Sequence, residues 1–244
     1  MEQRNGPIFW GMIGLSIALI ISAFIAADAA RDVKKANDTI SVTGSAKMPV
    51  RSDYIIWKGV ISSQLPERQS TYQDLMRQKA KLVEYLSEQG IADSMINFQP
   101  VGTYVIEERA NDRQKTGRFA AYNISQWFEI RSQDVERITE LSKKSSELIE
   151  QGLNFESHQP EYLISNLADL RSDMLAKASA DAHERAVKIA ESVGSKVGAL
   201  RNARVGVFQI TARNSTDISD RGMYDTRALE KDITAVVRLT FAIE

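Results

Sequence analysis

The histidines and cysteines give the first test for metal or acid–base chemistry. The sequence contains two histidines, His158 and His183, and no cysteine. His183-Glu184 begins like the H-E-x-x-H zinc motif, in which two histidines one helical turn apart bind the metal. Position 187, where the second histidine would stand, is Val187. The sequence therefore predicts no zinc site and no other metal site.

Serine, glycine and acidic patterns predict no catalytic residue. No G-x-S-x-G elbow is present to carry a nucleophilic serine. The stretch Gly44-Ser45-Ala46-Lys47 lacks the spacing of a G-x-x-x-x-G-K-[ST] phosphate loop. Glu107 and Glu108 are adjacent in an extended segment, so they point to opposite faces and cannot share one substrate. We therefore expect no cofactor and no enzymatic activity.

Aromatic residues in the predicted strands offer the clearest binding surface. Trp57 and Trp127 could form a ligand face or a subunit face, because each lies in a segment of alternating polar and apolar residues. The alternative is that both rings belong to the hydrophobic core.

Two stripes of small residues recur at four-residue spacing. Small side chains on one side of a helix let it approach a neighbouring helix or sheet closely. The first stripe predicts a contact between membrane helices, and the second predicts helix packing or a seam between subunits. The stripes are Gly14, Ala18, Ser22 and Ala26, and Ala178, Ala182, Ala186 and Ala190.

The N-terminal segment 7–27 is predominantly apolar, and its fate determines whether the following domain is held at a membrane. It contains no charged residue, and as a helix it would reach roughly 30 Å, the thickness of the hydrocarbon core of a bilayer. A retained transmembrane anchor is one interpretation, and Trp10 suits the membrane interface. A signal peptide cleaved near Ala27-Asp28-Ala29 is the second, and a buried helix of a soluble protein is the third.

Charge leaves the orientation of this segment open. Residues 1–6 form a short tail, and residues 28–38 form a polar tether that carries Arg31, Lys34 and Lys35. These cations favour a cytoplasmic domain by the positive-inside rule, whereas the absence of cysteine suits an oxidising compartment. The charges of the 31 basic and 32 acidic residues nearly cancel, so the chain lacks the strongly basic composition that is typical of nucleic-acid-binding proteins.

The rest of the chain predicts an α+β domain. Periodicity predicts helices near 66–90, 135–151 and 167–193, each followed or closed by glycine. Between and around them it predicts strands near 40–46, 54–62, 96–107, 122–130, 155–164, 203–211 and 233–243, with a polar hairpin tip at 109–117. A faint repeat, Leu86–Ile91 echoed by Leu148–Leu153, indicates two strand–helix–strand units in one mixed, largely antiparallel sheet with helices on one face.

The order of these motifs resembles the SIMPL-domain (DUF541) family over residues 39–244. The long third helix is the best match, and the segment Glu230-Lys231-Asp232 departs from the Pro-Gly that family members carry before the last strand. The residues that carry the resemblance are Ile40, Val42, Gly44 and Ala46; Gly90-Ile91, Asp93 and Ile96; Gly117, Ala120 and Asn123; and Arg171, Leu175, Ala178, Asp181-Ala182, Arg185-Ala186, Ile189-Ala190 and Val193-Gly194.

The resemblance implies a bacterial protein that is exported or anchored in the envelope. It implies a single-pass inner-membrane protein with its SIMPL domain on the periplasmic or extracytoplasmic side, and so decides the orientation that charge leaves open. Some members are thought to form ring-like homo-oligomers, and the family has no established enzymatic activity. We therefore expect a non-enzymatic, self-assembling protein with a scaffold or stress-related role. The alternative is a periplasmic module that binds a small ligand or peptide through the aromatic face or the polar stretch 213–231.

Overall fold

The computed structural model describes residues 6–36, 38–109 and 115–244, and within them the chain is α+β. Residues 1–5 of the predicted N-terminal tail and residues 110–114 at the tip of the predicted polar hairpin lie outside the described residues. The helices are α1 Gly6–Ala36, α2 Arg68–Glu88, α3 Val135–Lys144, α4 Glu147–Glu150 and α5 Leu167–Ser192, with a short 3-10 turn at Asp93–Met95. The strands are β1 Thr39–Arg51, β2 Tyr54–Leu65, β3 Ile96–Phe98, β4 Gly102–Arg109, β5 Lys115–Ser132, β6 Phe155–Ser157, β7 Glu161–Leu163, β8 Val197–Val205, β9 Gln209–Ala212, β10 Met223–Tyr224 and β11 Glu230–Ile243.

Helix α1 contains the predicted apolar span. Its window Trp10–Ala27 has a mean hydropathy of 2.2, and none of it is buried against the rest of the chain. The helix is long and apolar enough to cross a membrane, although a signal sequence has the same properties. Beyond the span it remains helical to Ala36, so most of the predicted tether is part of the same helix.

A six-stranded antiparallel sheet has the strand order β3-β5-β2-β6, with β4 also pairing with β5 and β7 with β2. The chain runs from β2 through α2 to β3, and then from β5 through α3 and α4 to β6. This arrangement confirms the two predicted strand–helix–strand units. The edge strand of each unit pairs with the central strand of the other, which is the split βαβ order of ferredoxin-like folds.

The core of this sheet lies on the face that carries the helices. Leu75 and Leu82 of α2 and Ile138 of α3 are fully buried there, against Trp57 and Phe128 of the two central strands. The rings of Trp57 and Phe128 meet edge to face with their centroids 5.5 Å apart. Both helical segments therefore cover the same face of the sheet, as the sequence predicted.

The repeated glycines end their helices in the same conformation. Gly90 and Gly152 have φ of 73° and 82°, in the left-handed region that favours glycine. After each, the next amide nitrogen donates back to a carbonyl of the last helical turn, from Ile91 to Leu86 at 2.8 Å and from Leu153 to Leu148 at 3.0 Å. These bonds are those of the Schellman motif, and they explain the sequence repeat in structural terms.

The remaining strands form a second, mixed sheet rather than joining the first. Its order is β1-β11-β9-β10, with β8 also pairing with β11. Strands β8 and β11 are antiparallel, whereas β9 and β10 are parallel. The predicted α+β class with a sheet built from two strand–helix–strand units is confirmed, and the first and last strands of the domain form an additional sheet that the sequence analysis did not separate from the central repeat.

The chain divides into two compact units. The first comprises residues 1–46, 172–207 and 234–244, and the second comprises residues 47–171 and 208–233. Each unit is assembled from stretches that are distant in sequence.

Three local features differ from their predictions. Strand β1 does not stop at Met48-Pro49 but continues to Arg51; it lies at the end of its sheet, where a proline need not donate to a neighbour. The second predicted helix is broken between α3 and α4, where the Ser145 hydroxyl donates to the carbonyl of Ser142 at 2.6 Å and competes with the helical bonds. The strand predicted near 155–164 is divided into β6 and β7, and Pro160 lies between them.

Candidate functional site

The face of the six-stranded sheet that is turned away from the helices carries a cluster of polar and aromatic side chains. Strand register places them there, because Lys58 is opposite Glu129 and Val60 is opposite both Trp127 and Glu156. Their neighbours along each strand point into the core instead. We call this surface the open face: Lys58, Trp127, Glu129, Arg131, Glu156, His158 and Glu161.

The charges of the open face are paired with one another. The Lys58 ammonium lies 2.7 Å from Glu161 Oε1. The Arg131 guanidinium donates to Glu129, whose side chain is largely buried, and this hydrogen bond raises the pKa of Arg131. These ion pairs fix side chains over the strands and leave the surface with little net charge.

Trp127 and His158 form the aromatic part of the open face. Their ring centroids are 4.7 Å apart, and Trp127 is 37% exposed. Nε2 of His158 makes no hydrogen bond within the described part of the chain, and the nearest carboxylate oxygen, from Glu156, is 3.7 Å away. This arrangement offers the flat indole ring of Trp127 to a ligand, beside an imidazole whose Nε2 is buried. It does not place a base beside a nucleophile.

Trp57 does not share this surface. Its side chain is fully buried among the core residues, and its indole nitrogen donates to the Ser157 hydroxyl at 3.0 Å. Trp57 and Trp127 stand on opposite faces of the sheet, because Trp57 is opposite Ile130 in the register. The prediction of a ligand or subunit face containing both tryptophans was therefore wrong for Trp57.

The alanine stripe of α5 packs inside the first unit. Ala178, Ala182, Ala186 and Ala190 are all buried. Strand β1 passes so close that a Cβ on Gly44 would lie 2.3 Å from the Ala178 carbonyl oxygen. The stripe therefore serves helix packing, and these side chains offer no surface to a second subunit.

A hydrogen bond between β1 and α5 stabilises the close contact at Gly44. Asp181 of α5 accepts from the Ser45 amide at 2.8 Å and from Arg185 at 2.9 Å. The Ser45 bond, followed by the bond from Arg185, holds the pKa of the Asp181 carboxyl below its usual range. Both bonds favour the ionised carboxylate beside the close approach at Gly44.

The small-residue stripe of α1 is fully exposed along the helix. Gly14, Ala18, Ser22 and Ala26 have no neighbour in the described chain that covers them. The Ser22 hydroxyl donates to the Ala18 carbonyl at 2.8 Å, so it is satisfied within its own helix, as an apolar environment requires. The predicted contact between membrane helices stays a prediction.

Two buried charges were missed at the sequence level. Lys231 is fully buried, and its ammonium donates to the carbonyls of Tyr162 and Ala228; burial lowers its pKa. Asp232 accepts from Lys47 at 2.9 Å and from the Asn214 amide at 3.0 Å, and the Lys47 bond is the main cause of its lowered pKa. The signal was the charged triplet that replaces Pro-Gly, but the sequence does not show which of its side chains turn inward.

No group of three or more acidic or histidine side chains that could hold a metal ion occurs in the described ranges. A groove of about 510 Å³ opens beside the start of α2, lined by Arg68, Tyr72, Val101 and Thr103 among others. Its wall is mainly apolar, so it offers binding surface without an obvious reactive group.

Residues 40–241 match the family described as SIMPL, protein of unknown function (DUF541). No curated protein matches the chain. The match covers most of the 244 residues and draws on both units. The resemblance seen in the sequence motifs is confirmed, and the chain belongs to the SIMPL (DUF541) family.

Proposed function

We propose that this protein is a non-enzymatic, membrane-anchored envelope protein whose SIMPL domain self-assembles into a ring- or cage-like homo-oligomer. It acts as a scaffold or in a stress-related role, through assembly rather than through catalysis. One observation carries the proposal. The apolar window Trp10–Ala27 is wholly exposed in the isolated chain and is joined to a SIMPL domain, so it must be covered by lipid or by protein.

Exposed apolar side chains beyond α1 support self-association. Tyr104 and Val105 on β4 are 64% and 58% exposed, and Phe119 on β5 is 46% exposed. Strand β4 pairs on one side with β5, and no pairing is found on its other side within the described residues. An apolar edge strand is a template for pairing with another chain.

Self-assembly is tested by mass photometry of the detergent-solubilised full chain. We expect discrete species much heavier than one subunit. A clean monomer across micromolar concentrations contradicts the assembly. This measurement does not depend on knowing the ligand or the partner.

The contribution of α1 is tested with a bulky residue on its stripe. Gly14→Ile places a branched side chain where a second helix would approach, and Ser16→Ile places the same side chain about 200° around the helix. We expect Gly14→Ile to reduce the assembly and Ser16→Ile to leave it intact. If neither variant changes the mass, the contact lies in the SIMPL domain instead.

The compartment is tested with a single introduced cysteine. The chain has none, and Ile218 is 84% exposed, so Ile218→Cys gives one accessible thiol. We expect a membrane-impermeant maleimide to label it in bacterial spheroplasts before lysis. Labelling that requires lysis places the domain in the cytoplasm.

The second candidate function is ligand or peptide binding at the open face, favoured by the exposed ring of Trp127 beside the half-buried His158. Its test is thermal stabilisation of the chain by envelope extracts. The stabilisation should be lost in Trp127→Ala and retained in Tyr104→Ala, which removes an exposed aromatic ring elsewhere.

A further inference from the structure

Two arginines face each other across neighbouring strands of the mixed sheet. Arg204 of β8 is directly opposite Arg238 of β11, and both side chains are exposed. Like charges directly opposite one another destabilise a strand pair. Neither guanidinium has an ion pair or a hydrogen bond within the described chain, in contrast to Arg51, Arg77 and Arg185. The pair thus breaks a rule of sheet stability without internal compensation.

Polar side chains that can donate hydrogen bonds flank the pair. Asn202 is opposite Thr240, two residues from Arg204 and Arg238, so period two places all four on one face. The Thr240 hydroxyl is 2.7 Å from that of Ser41 on β1. We call this surface the arginine face: Ser41, Asn202, Arg204, Arg238 and Thr240. It contains no carboxylate.

A third arginine lies beside this surface. The register between β8 and β11 shifts between Thr240 and Phe241, so that Arg201 is an extra residue at a bulge. Arg201 is also exposed and makes no ion pair within the described chain. The arginine face and its border therefore concentrate three uncompensated positive charges on two strands.

We propose that the arginine face binds the phosphate-bearing headgroups of anionic lipids in the bilayer that holds α1. The planar guanidinium fork matches phosphate oxygens, and paired arginines with neighbouring hydroxyls and an amide supply donors around one anion. A phosphate between Arg204 and Arg238 converts their repulsion into two attractions. The inference rests on the membrane anchoring of the proposed function.

The length of chain between α1 and the mixed sheet favours the bilayer over a soluble anion. Ser41 follows the apolar window, which ends at Ala27, by nine helical residues that rise about 14 Å and five more that span at most roughly 18 Å. The arginine face is therefore confined to within about 32 Å of one leaflet, whichever side of the membrane the domain occupies, and a tilt of α1 brings it closer. An anionic surface attracts nearby arginines within a Debye length of about 10 Å.

The test places the full chain in nanodiscs with a reporter on the arginine face. Val236 is on the same face of β11 as Arg238 and is 38% exposed, and Val236→Cys labelled with a small fluorophore gives one reporter because the chain has no native cysteine. The discs contain a lipid with a nitroxide on its headgroup, which quenches a fluorophore at the membrane surface. We expect stronger quenching when the discs contain phosphatidylglycerol than when they contain phosphatidylcholine alone.

Arginine variants connect the quenching to this face. Arg204→Gln with Arg238→Gln should weaken docking by roughly 30-fold, so that quenching falls to the phosphatidylcholine level. Arg68→Gln with Arg221→Gln removes the same charge at exposed sites elsewhere and should leave quenching unchanged. Equal quenching in both kinds of disc, or unchanged quenching in the first double variant, overturns the proposal.

Two further outcomes separate the alternatives. If added inorganic phosphate abolishes the quenching at constant ionic strength, the face binds phosphate as such and the bilayer is not its specific ligand, which also overturns the proposal. If the chain does not remain with the discs at all, the anchoring itself has failed. A chain that stays in the disc without lipid-dependent quenching contradicts only the inference about the arginine face.

Discussion

Two tryptophans on neighbouring strands of the six-stranded sheet lie on opposite faces of that sheet. Trp57 lies in the core, whereas Trp127 lies at the surface and packs at an angle against His158. The sequence predicts a half-buried strand at both positions. The alternation of polar and apolar residues defines two faces of a strand, but it does not show which face the helices cover. Register decides between them, and register is a property of paired strands.

Replacing each tryptophan by alanine should therefore give very different stabilities. Trp57→Ala leaves a cavity beside Phe128 and should cost about 3–5 kcal/mol in the free energy of unfolding. Trp127→Ala, its matched control on the neighbouring strand, should cost less than about 1 kcal/mol. Chemical denaturation of the solubilised chain measures both, and comparable losses would contradict the assignment of faces.

Tyr85 should give the stability a distinctive alkaline dependence. Its side chain is buried and its hydroxyl is 3.2 Å from Glu147, and burial followed by this bond raises its pKa to about 12. Between about pH 10 and 12 the folded state keeps a proton that the unfolded state loses, so stability falls as the pH rises through this window. The total effect is on the order of 2 kcal/mol.

The matched variant for this effect is Tyr85→Phe. It removes the ionisable hydroxyl and keeps the ring, so the difference in unfolding free energy between the two proteins should change above pH 10. A difference that stays constant from pH 8 to pH 12 would show that Tyr85 titrates normally. Denaturant titrations at each pH provide the measurement.

At the scale of elements, the contact between β1 and α5 depends on the absence of a side chain at Gly44. Gly44→Ala would force a methyl group into the backbone of α5 near Ala178 and Ala182. We expect a loss of about 1–3 kcal/mol in stability, as in an overpacked core.

Gly102→Ala is the control for that prediction. Gly102 also lies in a strand, but a Cβ there meets its nearest neighbour at 3.7 Å, an ordinary contact. The control should therefore be close to neutral in thermal denaturation. Equal destabilisation by both changes would mean that any alanine in these strands is harmful, and that the close approach is not the cause.

The facing arginines predict a gain of stability on mutation. Arg204→Gln relieves the repulsion from Arg238 and should raise the unfolding free energy by about 0.2–1 kcal/mol at low salt. The gain should shrink as salt screens the pair. Unfolding in low and high salt tests this expectation, and a loss of stability would show that Arg204 has an internal partner after all.

The elements that follow local rules were predictable from the sequence, and those that depend on distant partners were not. Helix ends at Gly90 and Gly152 need nothing beyond their own turn, so the sequence places them correctly. The sequence predicts a first strand that ends near residue 46, because it does not reveal that β1, which continues through Pro49, lies at the edge of its sheet. Lys231 was missed for a similar reason, since the carbonyl of Tyr162 that satisfies it is far away in the chain.

At the scale of the whole molecule, α1 is long and apolar enough to hold the protein at a membrane. The exposed window Trp10–Ala27 predicts that the full chain stays in the membrane pellet after alkaline carbonate extraction and is released by detergent. Ala18→Lys combined with Ile21→Lys should release it, because two charges near the centre of the span oppose insertion. Cleavage of the segment would instead release the unaltered chain without detergent.

Two residues separate the end of α1 at Ala36 from the start of β1 at Thr39. The three steps from Ala36 to Thr39 span at most about 11 Å. A helix that is longer than its bilayer is thick tilts to fit, and the tilt changes when the lipid composition changes. If α1 spans a bilayer, so short a connection leaves little slack between the helix and the first strand of the SIMPL domain. We then expect a change of tilt to displace the start of that strand, which would make the position of the domain sensitive to the thickness of the membrane.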